Sequence, residues 1–350
     1  MKPETFIILT PGFPKDEADS TCLPAQQLFV RILKEKFPSL EILVLSFQYP
    51  FVATEYDWNH CRVITLGGKG KSKLFRLLLW QRAWNRLRQL TKEKQVKGLL
   101  SFWCSECALI GSWFARKYHL QHQCWILGQD AKKGNHYVKW IRPRSESLVA
   151  MSDFLLDSFH FNHSIKPAMV IPNGIDPRLF ENATTSKDID ILGAGYLIPL
   201  KQFDVFIDII SAIKKFIPGI RTVICGKGPE ENKLRTQIDR AGLSDNISLV
   251  GEIPHHEVLK YMQRSRIFLH SSSYEGFGTV CIEALYAGAH VVSFIHPMNE
   301  IIPQWHIVKT REEMIQITIE LLQNHALENN SVCPYLMKDS VARMMHLFGL

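Results

Sequence analysis

The first ten residues lack both a signal-peptide core and anything approaching the roughly 20 apolar residues of a spanning helix. Their one apolar run, Phe6 to Leu9, reads instead as a first strand, and the expectation is a cytoplasmic protein. A disulfide framework is missing as well. The eight cysteines (Cys22, Cys61, Cys104, Cys107, Cys124, Cys225, Cys281, Cys333) lie scattered in apolar or strand-like contexts, so reduced thiols are expected. The chain has no period of 20 to 50 residues, which excludes solenoids and propellers. It also has no Cys and His at zinc spacing and no nucleophile elbow, so neither a metal site nor a cofactor is expected. Acidic residues are scarce in one place: from Lys69 to Lys97 there are ten Lys or Arg against Glu93 alone, a local +9 that exceeds the +7 of the whole chain.

What is present is a folded-protein composition, 46% hydrophobic and 21% charged, in 350 residues. That is too long for one ordinary core of about 100 to 200 residues, so two domains are predicted. Short β-rich runs alternate with helical patterns. In the second half the strands are Ile189 to Gly193, Arg221 to Cys225, Ile247 to Val250, Ile267 to His270 and Val291 to Phe294. Helices fall between them at Phe203 to Phe216, Glu230 to Ala241, Glu257 to Gln263 and Thr279 to Ala287. The first half is looser, with strands at Phe6 to Leu9, Ile42 to Ser46, Arg62 to Leu66, Gly98 to Phe102, Gln123 to Leu127 and Leu148 to Met151. Its helices are Cys22 to Lys36, Leu74 to Leu90 and Glu106 to Tyr118. Such alternation demands parallel sheets with helices on both faces. The fold class predicted is α/β: two Rossmann-like doubly wound parallel-sheet domains facing across a cleft. Residues 1–170 form the first domain and 171–334 the second, with 335–350 packing back on the first. The boundary follows from the turn chemistry of Pro172, Asn173, Gly174, Asp176 and Pro177 and from the polar stretch Glu181 to Asp190. Ligands in such sheets bind beyond the carboxyl ends of the strands.

The most informative stretch there is HSSSYEGFGTVCIEALYAGAHVV, from His270 to Val292. A strand ends at the serines, Gly276 and Gly278 permit a tight bend, and a helix beginning near Thr279 points its amides and positive dipole end back at that bend. This is an anion site made of backbone, suited to a diphosphate. Glu275 lies in the loop and Glu283 about one turn inside the helix, so that one carboxylate can face a sugar while the other takes a ribose.

This string resembles the signature of the retaining glycosyltransferases called group 1, or family 4, whose architecture is GT-B. The resemblance extends over roughly Ile171 to Ile301. Ile171 to Asp176 looks like the family's domain-junction turn, Gly195 to Gln202 like its first phosphate loop, and Gly226 to Pro229 like its turn near the nucleotide. Val250 to Pro254 matches the segment whose backbone commonly contacts the base, which brings in Gly251 and Ile253. The resemblance implies that Lys201 neutralises donor phosphate, Glu275 hydrogen-bonds the donor sugar, the amides of Gly276, Phe277, Gly278 and Thr279 hold sugar and diphosphate, and Glu283 binds the ribose. Three positions depart from the family pattern. Tyr196 stands where an arginine is usual, with Lys227 either a substitute cation or a surface residue; the first loop has one glycine, Gly12, instead of a pair; and Gly128, Gln129 and Asp130 occupy the loop of the usual histidine. Asp130 is accordingly a candidate for donor or acceptor contact, or else a helix cap, whereas His119 and His122 read as surface histidines. The implied reaction is metal-independent transfer, with retention, from a nucleotide diphosphate sugar to a glycan or lipid-linked acceptor, as in synthesis of cell-surface polysaccharides or glycoconjugates. The first domain would take the acceptor side.

Competing readings remain. A nucleotide-sugar epimerase or a non-catalytic binder would share the fold. Cys104 and Cys107, after a strand and opening a helix, have the spacing of a thiol redox site. Asp188 and Asp190 spell an acid-any-acid pattern that metal-dependent transferases of another fold use, and read here as solvated residues where a strand begins. In residues 69–97, Leu74, Leu77, Leu78, Trp84 and Leu87 can share a helix face, with Trp80 at its boundary and Arg76, Arg82, Arg86 and Lys92 elsewhere. That segment is either an ordinary domain helix or a peripheral anchor for an anionic membrane at its inner face; no nucleic-acid recognition module accompanies it.

Overall fold

A computed structural model describes residues 2–69, 73–180, 186–324 and 326–350, together with the backbone but not the side chains of Lys73 and Leu74. The side chain of Leu74, residues 70–72 of the basic segment and residues 181–185 of the polar boundary stretch therefore lie outside the described residues. The chain divides into two compact units, Met1–Gly174 with Met337–Leu350, and Ile175–Leu336.

In the first unit the strands are β1 (Glu4–Gly12), β2 (Glu41–Tyr49), β3 (Ala53–Trp58), β4 (Cys61–Leu66), β5 (Gln95–Phe102), β6 (His122–Ile126), β7 (Leu148–Ala150) and β8 (Met169–Val170), in the order β3-β4-β2-β1-β5-β6-β7-β8. β1 and β2 are buried on both faces along most of their length, which is why they read as continuous apolar runs. The helices are α1 (Pro24–Lys36), α2 (Lys73–Glu93), α3 (Glu106–Tyr118), α4 (His136–Ile141) and α5 (Asp153–His163). The last helix of the chain, Met337–His346, returns to this unit, where Phe348 meets Phe6 edge-on at 4.8 Å and an Arg343 guanidinium nitrogen donates to the Val170 carbonyl at 2.6 Å.

Two features differ from the sequence reading. β3 runs antiparallel to β4 through a two-residue turn in which Asn59 and His60 both have positive φ, the geometry that suits a tight hairpin. β3 was invisible to an apolar pattern because most of it is exposed. Second, α2 buries Leu79, Ala83, Leu87 and Leu90, while Leu77 and Leu78 face outward and Trp84 packs on Phe114 at 5.1 Å. The apolar face expected from the sequence is thus divided: its Trp84 and Leu87 belong to the interior and its Leu77 and Leu78 to the surface. At roughly 1.5–3 kcal/mol per buried aliphatic side chain, the Leu79–Leu90 stripe is what fixes the helix on its sheet.

The second unit contains β9 (Ile189–Ala194), β10 (Thr222–Cys225), β11 (Ile247–Gly251), β12 (Ser265–His270), β13 (His290–Ser293) and β14 (Trp305–Ile307), all parallel, in the order β11-β10-β9-β12-β13-β14. The helices are α6 (Phe203–Lys214), α7 (Glu231–Arg240), α8 (His255–Gln263), α9 (Thr279–Tyr286) and α10 (Arg311–Gln323). Numbered from β9, this is the doubly wound order 3-2-1-4-5-6, in which the direction of strand addition reverses between β9 and β12 and opens a crevice at their carboxyl ends. α10 escaped the sequence reading although its start is capped: Thr310 Oγ1 accepts from the Glu313 amide at 3.1 Å, and Glu313 Oε2 accepts from the amide of Lys309, the residue before the cap, at 2.7 Å.

Candidate functional site

The loops at the β9/β12 switch point are tied to each other. After β9 the chain makes a single 3-10 turn, Pro199–Lys201, whose carbonyls receive the loop after β12: the Ser273 amide donates to Leu200 O at 3.0 Å, and the Ser271 hydroxyl to Lys201 O at 3.0 Å. That bracing directs the Lys201 ammonium onto the Glu275 carboxylate, with which it forms a hydrogen-bonded ion pair. His270, the last residue of β12, places Nε2 3.7 Å from the same carboxylate and 3.1 Å from the Ser272 hydroxyl. Burial would raise the Glu275 pKa, but His270 and Lys201 outweigh it and bring the carboxyl down to about 2. His270 itself is buried, which lowers its pKa in spite of Glu275, and its Nδ1 has no hydrogen-bond partner among the described residues. At neutral pH Glu275 is therefore a carboxylate and His270 a neutral imidazole.

Beside it, α9 starts at Gly278, which has φ +80° and caps the helix without any side-chain bond. The first-turn amides and the positive end of α9 consequently face the Glu275 loop. Gly276, Phe277 and Gly278 are buried, and the Phe277 ring packs on Tyr335 at 5.7 Å, leaving only its backbone for a ligand. Glu283, one turn on, bonds neither Lys201 nor Glu275; its Oε1 lies 2.9 Å from His255 Nε2 at the start of α8. His255 carried no signal in the sequence, because the pairing spans two helices and 28 residues.

The ends of β9, β10 and β11 are stitched by Gly195 N to Cys225 O at 3.0 Å, Gly226 N to Gly251 O at 2.8 Å and Leu197 N to Lys227 O at 2.8 Å. Gly226 has φ +148°, and a methyl there would overlap the Gly195 carbonyl. Lys227, a candidate substitute cation, forms an ion pair with Glu252 at the surface, and Gly251 and the half-buried Ile253 flank that pair in sequence. Tyr196 is 55% exposed and brings no charge to the loop. The structure therefore assembles Lys201, Glu275 and the α9 start, with Lys227, Gly251 and Ile253 on the neighbouring strand ends.

In the first unit, Gly12 ends β1 opposite Tyr49 and its carbonyl accepts from the Thr10 hydroxyl at 2.8 Å. The Asp130 carboxylate accepts from the amides of Cys104 (2.7 Å), Gly128 (2.8 Å) and Leu127 (3.2 Å). Burial moves its pKa up to about 6 against those three bonds. Asp130 thus organises its own loop, which gives a catalytic role no support.

The competing motifs resolve physically. Cys107 is fully buried, which pushes its thiol well above the ordinary value, the reverse of what a redox thiolate requires, and Cys104 is buried too. Asp188 Oδ1 accepts from Arg264 Nε at 2.8 Å, and Asp190 Oδ2 from the Arg221 amide at 2.8 Å, so arginine and backbone hold this acidic pair. His119 is an exposed left-handed helix cap, as a surface histidine can be. His122 corrects the expectation: it is partly buried against the Ser101 hydroxyl at 2.9 Å, and burial brings its pKa down to about 3.

Architecture and site together define a two-domain Rossmann protein of the GT-B kind, and known proteins agree. The structure of Anabaena Alr3699/HepE in complex with UDP and glucose superposes with a TM-score of 0.67 over 98% of this chain and 95% of that one, at 16% identity. The profile of "Glycosyl transferases group 1" matches residues 176–323. Over that stretch the chain is similar to this family of retaining glycosyltransferases. Among curated relatives, the phosphatidylinositol N-acetylglucosaminyltransferase gpi3 subunit of Schizosaccharomyces pombe is 34% identical over 131 residues, 37% of this chain and 29% of the relative. The 2-deoxystreptamine N-acetyl-D-glucosaminyltransferase of Niallia circulans is 28% identical over 149 residues, 43% of this chain and 36% of the relative. The matched regions span about a third of the length of these relatives.

Proposed function

We propose that the chain transfers a hexose from a nucleoside diphosphate donor, with retention, to a glycan or lipid-linked acceptor, and that the second unit holds the donor. The observation carrying this reading is the Lys201–Glu275 ion pair set beside the start of α9. Both side chains are about one-fifth to one-quarter exposed, so the pair is within reach of a ligand. A diphosphate then takes the ammonium in a charge-assisted bond and the α9 amides complete its cradle. Glu275, kept ionised by its surroundings, is released to accept from donor-sugar hydroxyls. As the glycosidic bond breaks, negative charge grows on the departing phosphate, where Lys201 and the helix dipole stabilise it. The acceptor oxygen attacks the anomeric carbon from the face that the diphosphate leaves, and its proton passes to that leaving phosphate. Acceptor recognition is assigned to the first unit.

Uracil is the donor base proposed, supported by the UDP and glucose complex of the structural neighbour. The curated relatives are named for different acceptors, phosphatidylinositol and 2-deoxystreptamine, so the acceptor is assigned here by class. Preferential binding raises a melting temperature. UDP at saturating concentration is expected to raise that of this chain by several degrees, and UDP-sugars to release UDP only when an acceptor is supplied. Acceptor-independent consumption of the sugar nucleotide would instead favour the epimerase reading, and absence of any nucleotide stabilisation a chain without a donor site.

Peripheral attachment to an anionic membrane is proposed from a second observation. Leu77 and Leu78 (57% and 53% exposed) share the outer side of α2 with the exposed Arg76 and Arg82, and Trp80 joins α2 at 6.4 Å between ring centroids to Trp140 (53% exposed), which follows the exposed Lys139 on α4. Among the described residues no helix is long and apolar enough to cross a membrane. Co-sedimentation with phosphatidylglycerol vesicles at low salt is expected, and Leu77→Glu with Leu78→Glu should abolish it. Failure of the unmodified chain to sediment would refute the proposal.

A further inference from the structure

His255 opens α8 directly after the Gly251–Pro254 connection. β11 ends on Gly251 at φ +78°, and Pro254, with φ −55°, turns the chain straight into the helix. The first helical side chain is thereby delivered at the carboxyl edge of the sheet, directly after the Val250–Pro254 segment whose backbone is expected at the nucleotide base. It reaches across to α9: Nε2 lies 2.9 Å from Glu283 Oε1, with 22% and 14% of the two side chains exposed. Among the described residues no other hydrogen bond engages the Glu283 carboxylate. Its neighbour His256 is unlike it, being 64% exposed and paired at 3.1 Å with Glu257, which also holds Lys260 at 3.1 Å. One of two adjacent histidines therefore joins a surface charge cluster, and the other is turned inward onto the Glu283 carboxylate.

Resting on the donor-site reading above, we infer that His255 is a positioning residue for the donor ribose, and that through Glu283 it makes the site select ribonucleoside over deoxyribonucleoside diphosphates. A glutamate alone on a helix face samples several rotamers, and ordering it on binding costs conformational entropy. His255 removes that cost by holding Oε1, which leaves Oε2 aimed at the ribose hydroxyls. A donor lacking the 2′-hydroxyl then leaves a partly buried carboxylate oxygen short of a partner, the situation in which polar sites discriminate best. The chemical consequence is a preference for UDP-, GDP- or ADP-sugars and a bias against deoxythymidine diphosphate sugars. Because the imidazole donates through Nε2, the amide nitrogen of glutamine can occupy a similar place.

The test uses the intact chain and calorimetric titration with UDP, GDP and ADP, followed by the 2′-deoxy counterpart of whichever binds best. The unmodified chain is expected to bind the ribonucleotide about tenfold more tightly than its 2′-deoxy form, the discrimination of one good hydrogen bond. In His255→Ala, ribonucleotide affinity should fall about fivefold while 2′-deoxynucleotide affinity moves less than about twofold, so the preference nearly vanishes. His255→Gln should restore most of it, and Glu283→Gln should lose it as His255→Ala does. A folded His255→Ala chain that keeps the full preference, or loses affinity for both nucleotides equally, would overturn the inference while leaving the donor site standing. An unmodified chain that binds none of the three diphosphates would overturn the inference and the donor-site reading together.

Discussion

Glu275→Ala is expected to reduce sugar transfer by about 10² to 10³-fold in kcat, the scale of removing one preorganised electrostatic contact from a reacting centre, while the chain stays folded. The expectation rests on where Glu275 sits. Its carboxyl has a pKa of about 2 because His270 and Lys201 more than offset burial, so it is fully charged at any working pH. Glu275→Gln separates charge from shape: the amide still accepts a sugar hydroxyl but no longer balances Lys201, and an intermediate loss is expected. Lys201→Ala removes the opposite partner. Since the ammonium is proposed to meet the phosphate in both the bound donor and the transition state, KM should rise as well as kcat fall. Steady-state kinetics with a UDP-sugar, alongside thermal melts of each variant, makes the comparison. Folded Glu275→Ala or Lys201→Ala chains turning over within about twofold of the unmodified protein would remove the pair from the mechanism.

The second large effect is structural. Gly226→Ala should lower the melting temperature of the chain by about 5 to 10 °C, corresponding to roughly 2–4 kcal/mol for a unit of this size. Two causes add. At φ +148° an alanine is strained, and its methyl would overlap the Gly195 carbonyl, a rigid backbone atom unable to swing aside. Relief requires separating the ends of β9 and β10, which would break the bonds from Gly195 to Cys225 and from Leu197 to Lys227. Because the 3-10 turn carrying Lys201 follows directly, nucleotide-induced stabilisation should be lost along with stability. A Gly226→Ala chain melting within about 2 °C of the unmodified protein would show that the loops can part at little cost.

Much of the second unit was readable in advance, since its strands are buried on both sides and its helices have one buried stripe, so each element announces itself within a few residues. β9 through β13 and α6 through α9 fall where the alternation predicted them. Besides α4 and α5, the elements that escaped are those whose signal is weak or non-apolar. β3 is an exposed edge strand, β8 and β14 are two and three residues long, and α10 is announced by a cap rather than by a pattern. Among the site residues, the Gly276–Thr279 bend and the α9 start were local features and therefore legible. The loop-organising role of Asp130 was not, because it depends on the amide of Cys104, 26 residues away.

By itself the sequence determined the two alternating α/β halves, the buried strands, and the glycine-rich bend that opens α9, because periodicity and turn chemistry act over a few adjacent residues. Tertiary structure alone decided that Lys201 meets Glu275 across 74 residues, that His255 meets Glu283, that α2 turns Leu79 inward and Leu77 outward, and that Cys107 is sealed from solvent. Those outcomes depend on strand order and on which surfaces pack together. The order β11-β10-β9-β12-β13-β14 places the ends of β9 and β12 side by side, and no local property of either segment contains that adjacency.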